Sequence, residues 1–281
     1  MNHSVITANL PPDLKAIELV ERDAWLDFYA AAPATYAASM SIQSKQFDGY
    51  AVLAHKGIPM PEFNRAIGLG IDHPMTASAL DKAIGWLDAN ADPAWAIQLP
   101  PSERTAEIEL ALEKRGLKPR GNGWAKFEYT PVAASTPPSR SNLNVRQVEA
   151  SAAGHFGSVI ADSFGFPQSS APWFSALVGR PKWQCYLVYD GSSLAAGAAL
   201  YLDGGWAWMG MDTTLAAYRD RGAQAALINR RVIDGIRQGV KCFTAETGQP
   251  SPNGTQANHS HNNYARANFR KAYVRPNYRR T

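Results

Sequence analysis

A proline-rich segment near the middle of the chain divides the sequence into two parts. Residues 130–141 contain Pro131, Pro137 and Pro138 among small and polar residues. Because proline lacks a backbone N–H and fixes φ, this segment is typical of a linker and cannot form a helix or a central strand. The flanking parts have about 130 and 140 residues, an ordinary domain size. We therefore predict two domains, residues 1–130 and 142–281, joined by a linker over residues 131–141.

The second part predicts strands interspersed with helices. Alternating and continuous apolar runs, separated by glycine-containing turns, indicate strands at residues 143–148, 183–189, 194–202, 206–212, 242–247 and 273–278. Helical spacing indicates helices at residues 150–164 and 262–269 and a longer one between them. In that longer helix Ala225, Ile228, Val232 and Ile236 share one stripe, and Gly239 is placed to end it.

The first part shows a similar order of elements. It predicts helices at residues 17–31, 80–87 and 105–115, and strands at residues 50–55, 66–71, 94–99 and 124–129. Strands mixed with helices in both parts favour an α/β or α+β fold, with a mixed, mostly antiparallel sheet flanked by helices in each part. The matching order suggests an internal duplication.

The composition is that of a globular protein. Of the 281 residues, 45% are hydrophobic and 19% are charged, and no apolar run is long enough for a transmembrane helix. The first residues have neither the basic nor the apolar segment of a secretory signal. Cys185 and Cys242 do not form a CxxC pair, so we expect them to pack as small hydrophobic residues. We predict a cytoplasmic protein with no membrane partner and no metal.

Positive charge is concentrated after residue 263. Six basic residues and no acidic one lie between residues 264 and 281: Arg266, Arg270, Lys271, Arg275, Arg279 and Arg280. The run could be a solvated tail or a site for an anion. A nucleic-acid footprint would spread further along the chain, so we expect no nucleic-acid partner.

The segment 218–227 predicts an anion-binding turn. It follows a predicted strand and opens the long amphipathic helix, whose first backbone N–H groups lack intrahelical partners. Those groups and the helix dipole favour a phosphate. Gly222 lets the backbone approach an anion closely, Ala223 and Ala225 leave space, and Arg219 and Arg221 add positive charge. An ordinary helix start with solvent-facing arginines is the alternative.

This turn and two later motifs resemble the GNAT superfamily of acyl-CoA-dependent N-acetyltransferases, in particular a bacterial subgroup. Arg219, Gly222 and Gln224 match the superfamily's pyrophosphate signature, which is Arg or Gln, two residues, Gly, one residue, then Gly or Ala. A second block over residues 260–278 resembles the subgroup pattern of Ser, Asn, Arg-Ala-Gly-Phe and Val-Arg-Pro-Asn. The strand end at residues 245–248 also fits. The resemblance covers residues 142–281, and the first part resembles a degraded copy, so the chain looks like a tandem GNAT-fold protein.

Two positions depart from the pattern. Gln224 stands where the superfamily usually has Gly or Ala, and Asn268 stands where Gly is expected before Phe269. Asn tolerates positive φ better than most residues, so we expect the turn at residue 268 to survive. In the first part, residues 72–77 lie where the phosphate turn should be but have no matching Arg or Gly. We therefore expect only the second part to bind CoA.

The resemblance implies acetyl-CoA as the co-substrate, lying where two neighbouring strands splay apart. The pantetheine arm would pair with the main chain of Asp212, Thr213, Thr214 and Leu215. The pyrophosphate would sit on the N–H groups of Arg221, Gly222, Ala223, Gln224 and Ala225. Asn263 and Arg266 would bind elsewhere along the CoA, with the basic run near its 3′-phosphate.

Three residues are candidates for the chemistry. A protonated amine must lose a proton before it can attack a thioester, and Glu246, at the end of a predicted strand, is the first candidate for the base. Asp212 is the second. Each could instead be a structural acid or an arginine partner. The resemblance makes Tyr264 a candidate proton donor to the CoA sulfur, and a packed aromatic side chain is the alternative.

We expect an N-acetyltransferase that moves an acetyl group to a primary amine by direct attack in a ternary complex. The alternative is a non-catalytic CoA-binding sensor or scaffold. The acceptor, a small-molecule or peptide amine, is not readable from this sequence because fold alone does not fix the substrate. We expect either a monomer or a homodimer.

Overall fold

The computed structural model describes residues 13–101, 106–131, 143–251 and 258–280. The first part of the chain forms four helices and five strands within these ranges. The helices are α1 (Leu14–Ala30), α2 (Ala34–Met40), α3 (Ala77–Asn90) and α4 (Ala106–Lys114), and the strands are β1 (Ile42–Gln46), β2 (Ala51–His55), β3 (Arg65–Ile67), β4 (Ala96–Gln98) and β5 (Leu117–Tyr129).

The second part contains four helices and six strands among its described residues. The helices are α5 (Ala153–Phe164), α6 (Ala171–Ser175), α7 (Ala223–Arg237) and α8 (His259–Arg266), and the strands are β6 (Asn144–Gln147), β7 (Trp183–Asp190), β8 (Ser193–Asp203), β9 (Trp206–Thr214), β10 (Cys242–Gly248) and β11 (Arg270–Arg280). Each element predicted in this part is confirmed, and Gly239 follows α7 with φ 84°. Ile236, predicted on the buried stripe, is instead 38% exposed.

The described strands form one eleven-stranded sheet in the order β1-β2-β3-β4-β11-β5-β10-β9-β8-β7-β6. Two of the ten strand pairs are parallel, β3 with β4 and β9 with β10, and the others are antiparallel. The predicted mixed, mostly antiparallel sheet flanked by helices is therefore confirmed. The two parallel pairs lie at matching places in the two parts, as an internal duplication requires.

The two parts exchange strands at the centre of this sheet. β11 lies between β4 and β5, both from the first part, and β5 lies between β11 and β10, both from the second. Each part thus supplies a strand that pairs inside the other part's sheet. The predicted linker falls largely on residues 132–142, which lie outside the described residues, so the domain boundaries remain a prediction.

Helices cover both faces of the sheet. Alternate residues of β7 and β8 enter two different apolar clusters: Cys185 and Leu187 join one with α1, α5 and α6, while Tyr186 and Val188 join another with α7 and α8. A third cluster packs α3 and α4 against the first part's strands. Although α1 belongs to the first part of the chain, it contacts β8 and β9, so the first cluster spans both parts.

Some elements of the first part were not predicted. α2 buries only Tyr36, and β1 buries only Ile42 at its start, so neither carries a periodic apolar pattern. β3 is shorter than the predicted strand at residues 66–71, because Gly68 and Gly70 adopt positive φ. Among the described helices, none has the length and apolar character that crossing a membrane requires.

Candidate active site

The parallel strands β9 and β10 separate at the centre of the second part. Their pairing runs from Trp206 with Cys242 to Met209 with Ala245. Both strands then continue, to Thr214 and Gly248 respectively, without further pairing to each other among the described residues. Strands that diverge in this way leave a gap with unpaired main-chain groups on its sides.

A β-bulge in β9 lies at the start of the gap. The pairing of β8 with β9 passes from Ala199 opposite Gly210 to Gly197 opposite Thr213, so two residues of β9, Met211 and Asp212, oppose one residue of β8. Met211 has φ 57°, which is uncommon for a residue other than glycine. Bulges often re-aim side chains near functional sites.

The N-terminus of α7 presents open backbone donors beside this gap. Gly222 is its N-cap with φ 80°, and no side chain caps the helix. The first helical bond joins the Ala226 N–H to the Gly222 carbonyl at 3.0 Å, and no acceptor within the described ranges receives a bond from the N–H groups of residues 223–225. The equivalent helix of the first part, α3, is closed instead by the Thr76 hydroxyl, which accepts from the Ala79 N–H at 3.1 Å.

The side chains around this turn have separate roles. Gln224 donates to the Ser260 hydroxyl and accepts from the Asn263 amide, both at 2.8 Å, so it joins α7 to α8. Arg221 donates to Asp190 at 2.8 Å and stacks on Tyr218. Gln224 therefore leaves the turn open because its side chain is directed to α8.

Much of the basic run does not lie at this turn. Arg270 pairs with Glu128, Arg280 with Asp88, and Arg275 is fully buried among carboxylates. Arg275 is therefore neither solvated nor open to a phosphate, whereas Arg270 and Arg280 remain more than half exposed beside their acidic partners. Arg219 and Arg266 are exposed, the former four residues before α7 and the latter at the last position of α8.

Asp212, Arg231 and Tyr264 form a buried group on the α7 and α8 side of the gap. The Tyr264 hydroxyl donates to Asp212 Oδ2 at 2.8 Å, and the Arg231 guanidinium bonds to both carboxylate oxygens. Burial, with a further contribution from the Asp212 carboxylate, raises the pKa of Tyr264 well above its ordinary value, so the phenol keeps its proton at neutral pH. The structure thus brings two of the three predicted catalytic residues into contact.

Glu246 lies elsewhere, in a buried ion network at the junction of the two parts. The network contains three acidic and three basic side chains: Glu18, Glu21, Arg65, Lys126, Glu246 and Arg275. Burial alone would raise the pKa of Glu246, but Arg275, Arg65 and Lys126 outweigh it and hold that pKa well below its ordinary value. A base needs a pKa near the working pH, so this environment disfavours the predicted role of Glu246.

The sequence did not indicate the partners of these carboxylates. Arg231 lies one helical turn after Leu227 and one turn before Gly235, both buried, so its position in an apolar stripe was a signal that a charged residue is buried there. Glu18 and Glu21 lie on α1, more than 220 residues before Glu246 in the chain, and no local pattern connects them. The tryptophans Trp173, Trp183 and Trp208 pack in the first apolar cluster.

The architecture is similar to that of solved N-acetyltransferases. A GCN5-related N-acetyltransferase from Kribbella flavida has a TM-score of 0.61 and 13% identity, with 93% of this chain and 95% of that chain covered. A GCN5-related N-acetyltransferase from Sphaerobacter thermophilus has a TM-score of 0.56 and 15% identity, with 96% of this chain and 93% of that chain covered. A tandem GNAT protein from the clavulanic acid biosynthesis pathway has a TM-score of 0.52 and 14% identity, with 92% and 93% covered.

No protein-family model matches the sequence, and no curated protein is similar to it in sequence. The likeness in structure nevertheless extends over nearly the whole length of each protein compared. The chain therefore has the fold of the GCN5-related N-acetyltransferases. It has this fold in the tandem arrangement, and the resemblance inferred from the sequence is confirmed at the level of the fold.

Proposed function

We propose that this protein is an acetyl-CoA-dependent N-acetyltransferase whose active site lies in its second part, with the amine acceptor attacking acetyl-CoA directly in a ternary complex. The observation that carries the proposal is the N-terminus of α7: Gly222 leaves it uncapped, beside the gap where β9 and β10 diverge. Helix N-termini with free N–H groups favour phosphate. The fold shared with solved N-acetyltransferases supports the same conclusion.

The residues around the gap fit acetyl-CoA. We assign its pantetheine arm to the main chain of residues 212–215, where β9 no longer pairs with β10. The pyrophosphate is assigned to the N–H groups of residues 221–225. Arg219 and Arg266, both exposed, are assigned to the phosphates. In this proposal the side chains of Gln224 and Asn263 do not bind CoA directly; their hydrogen bond holds α7 against α8 and so fixes the position of the turn.

The chemistry assigns a proton donor but no carboxylate base. Acetyl-CoA supplies a thioester whose carbonyl carbon bonds to the amine nitrogen as the carbon–sulfur bond breaks. Tyr264 gives its phenolic proton to the departing sulfur, after turning from Asp212. Both candidate carboxylates are engaged, Asp212 with Arg231 and Glu246 with Arg65 and Arg275. The protonated amine therefore loses one proton to water before it attacks and a second one as the amide forms. One of these two protons is returned to Tyr264 through water, so the balance is one amide, one thiol and one proton released to the solvent.

The first part of the chain is proposed to shape the acceptor side rather than to bind CoA. The Thr76 hydroxyl accepts from the Ala79 N–H in the first turn of α3, which takes up one of the donors that a phosphate would use. α1 contacts β9 on the face opposite α7, so an acceptor reaching the gap from that face meets residues of the first part. The proposed acceptor is a small-molecule or peptide amine. We place the protein in the cytoplasm and expect it to act as a monomer or a homodimer.

Two measurements test it. Isothermal titration calorimetry with acetyl-CoA should show binding at one site per chain, and a free-thiol assay over a library of primary amines should show amine-dependent release of CoA. Binding without transfer to any amine would support the sensor or scaffold alternative. Absence of binding would reject both the acetyltransferase and the sensor or scaffold, and would favour an ordinary helix start at Gly222.

A further inference from the structure

The bulge in β9 decides which face of the sheet Asp212 occupies. Met209 enters the cluster on the α7 side, so in a regular strand Met211 would follow it there and residue 212 would point to the opposite face. The extra residue reverses this order. Met211 joins the cluster on the α1 side, and Asp212 contacts α7 and α8. Without the bulge, Asp212 could not reach Tyr264.

This conformation has an intrinsic cost. A residue other than glycine with positive φ is strained, and the ladder bonds of β8 and β9 are interrupted at the bulge. Such a conformation persists only where the surrounding contacts determine it. Besides the Tyr264 hydroxyl, which bonds to Asp212, most of the hydrogen bonds to the bulge and its neighbours come from one side chain of α7.

That side chain is Arg231, which is fully buried. Its Nη1 donates to the Ala199 carbonyl at 3.0 Å and to the Gly210 carbonyl at 3.4 Å, one on each strand beside the bulge. The guanidinium also bonds to both Asp212 oxygens, lies 3.5 Å from the Tyr264 hydroxyl, and donates through Nε to the Leu227 carbonyl at 3.2 Å. Its donors thus connect β8, β9, α7 and α8.

Only a planar, forked donor set can make these contacts together. Lysine has the same charge but a single nitrogen, which cannot bond to two carbonyls and both oxygens of a carboxylate at once. We infer that Arg231 is a positioning residue: it holds the bulge at Met211–Asp212 in the shape that receives the thioester end of acetyl-CoA and aligns Tyr264. This inference rests on the proposed function.

Arg231 is distant from the phosphate turn. It lies eight residues into α7 from Ala223, which corresponds to about 12 Å along the helix axis. The nucleotide end of CoA, bound at the helix N-terminus, therefore does not reach it. The inference thus predicts that a change at Arg231 affects ligands with a pantetheine arm and spares ligands without one.

The test compares two ligands, acetyl-CoA and its nucleotide end alone (adenosine 3′-phosphate 5′-diphosphate). For Arg231→Lys we expect acetyl-CoA binding to weaken about tenfold or more, as for the loss of one hydrogen bond to a charged group, with a parallel loss of turnover. The affinity of this variant for the nucleotide should stay within about twofold of the wild-type affinity, because the turn at Gly222 is unchanged. A general loss of structure would weaken both ligands alike.

Arg230→Lys is the matched control. Arg230 is the neighbouring residue on α7 and pairs with Asp234 four residues later, away from the bulge. Both ligands should bind it as they bind the wild type. If Arg231→Lys does not fold, the double variant Arg231→Met with Asp212→Asn removes both charges together, so that no buried charge is left unpaired.

The possible results distinguish a failure of this inference from a failure of the proposed acetyltransferase function. Equal binding and turnover in Arg231→Lys and the wild type, or equal weakening of both ligands, would overturn the role of Arg231. A selective loss of acetyl-CoA in either folded variant supports it. A wild-type protein that binds neither ligand would reject the proposed function itself.

Discussion

Gln98 and Glu246 accept hydrogen bonds from the same nitrogen, Nη1 of Arg65, at 2.7 and 2.8 Å. They hold equivalent positions, because each follows the last residue of its strand that pairs in parallel, Ile97 in β4 and Ala245 in β10. The first part has a neutral amide at this position and the second has a carboxylate. The junction thus joins the ends of two equivalent strands through one arginine, and this gives Glu246 a structural function.

The first prediction concerns Glu246→Gln. Because breaking one partner of a buried ion pair leaves the other charges uncompensated, we expect a loss of about 3–5 kcal/mol in the free energy of unfolding at pH 7. Turnover of the folded fraction should fall less than the roughly 100-fold or more that loss of a general base causes. Urea unfolding and steady-state rates measure the two effects. Glu128→Gln is the control, because Glu128 pairs with the exposed Arg270. This substitution should lower the free energy of unfolding by about 1 kcal/mol or less.

The second prediction is the pH dependence of this effect. The pKa of Glu246 is lowered in the folded state, so its carboxylate stabilises the fold above the unfolded pKa of about 4.3. That stabilisation is lost as the pH falls below this value towards the folded pKa. The difference in unfolding free energy between the wild type and Glu246→Gln should therefore be largest near pH 6 and shrink at pH 3.5. A constant difference would contradict the ion network as its source.

The third prediction tests the phosphate turn through Gly222→Asp. A carboxylate at the N-cap would lie against the pyrophosphate and occupy the open N–H groups, so acetyl-CoA binding should weaken by about 100-fold or more. Gly204→Asp is the control, because Gly204 also has positive φ, 54°, and has open space around it at the β8–β9 turn. Calorimetry should find unchanged affinity in that variant. Equal affinity in both variants would place the pyrophosphate elsewhere.

The fourth prediction concerns Tyr264→Phe. Removing the phenolic proton should lower turnover by about 100-fold, while acetyl-CoA affinity stays near that of the wild type. Tyr186→Phe is the control, since Tyr186 is also buried and donates to a carboxylate, Asp234, at 3.1 Å. Because the pKa of Tyr264 is raised, activity in the wild type should show no loss from this group up to pH 10. Unchanged turnover in the Phe variant would make Tyr264 a packing residue.

The fifth prediction tests the strand exchange. Cutting the gene between codons 134 and 135 separates β5 from β10 and β11, so each half loses a central strand of its sheet. Unpaired central strands are prone to aggregation, and we expect both halves to be insoluble alone and soluble when produced together. Size-exclusion chromatography distinguishes the cases. A second half that folds alone and binds acetyl-CoA would show that β5 is dispensable.

Local patterns predicted most of the second part. The strands β7, β8 and β9 and the helix α7 were predictable because alternation, turn glycines and a helical stripe lie within a few residues of each other. Asn268 was expected to tolerate positive φ and has φ 64°, matching Gly116 at the equivalent corner of the first part, where φ is 74°. Gly222 is the N-cap of α7 with positive φ, and binding of a pyrophosphate there stays a prediction.

The remaining features depend on contacts between distant parts of the chain. β5 and β11 are about 150 residues apart in sequence, and neither carries a pattern that specifies its partner. Its position at the end of a strand makes Glu246 a candidate base in the sequence. The structure differs because Glu18, Glu21 and Arg65 of the first part surround it in a buried ion network. The burial of Arg231 could be expected from its apolar neighbours on α7, but its partners could not, because the carbonyls that it bonds lie on β8 and β9.

The exchange of β5 and β11 has a consequence for synthesis on the ribosome. β11 emerges after all the other described strands, yet it fills the space between β4 and β5. Until β10 and β11 are synthesised, the nascent first part therefore carries three strand edges without their native partners, one on β4 and two on β5, and such edges are prone to aggregation. Its native state is reached only after β11 has left the exit tunnel.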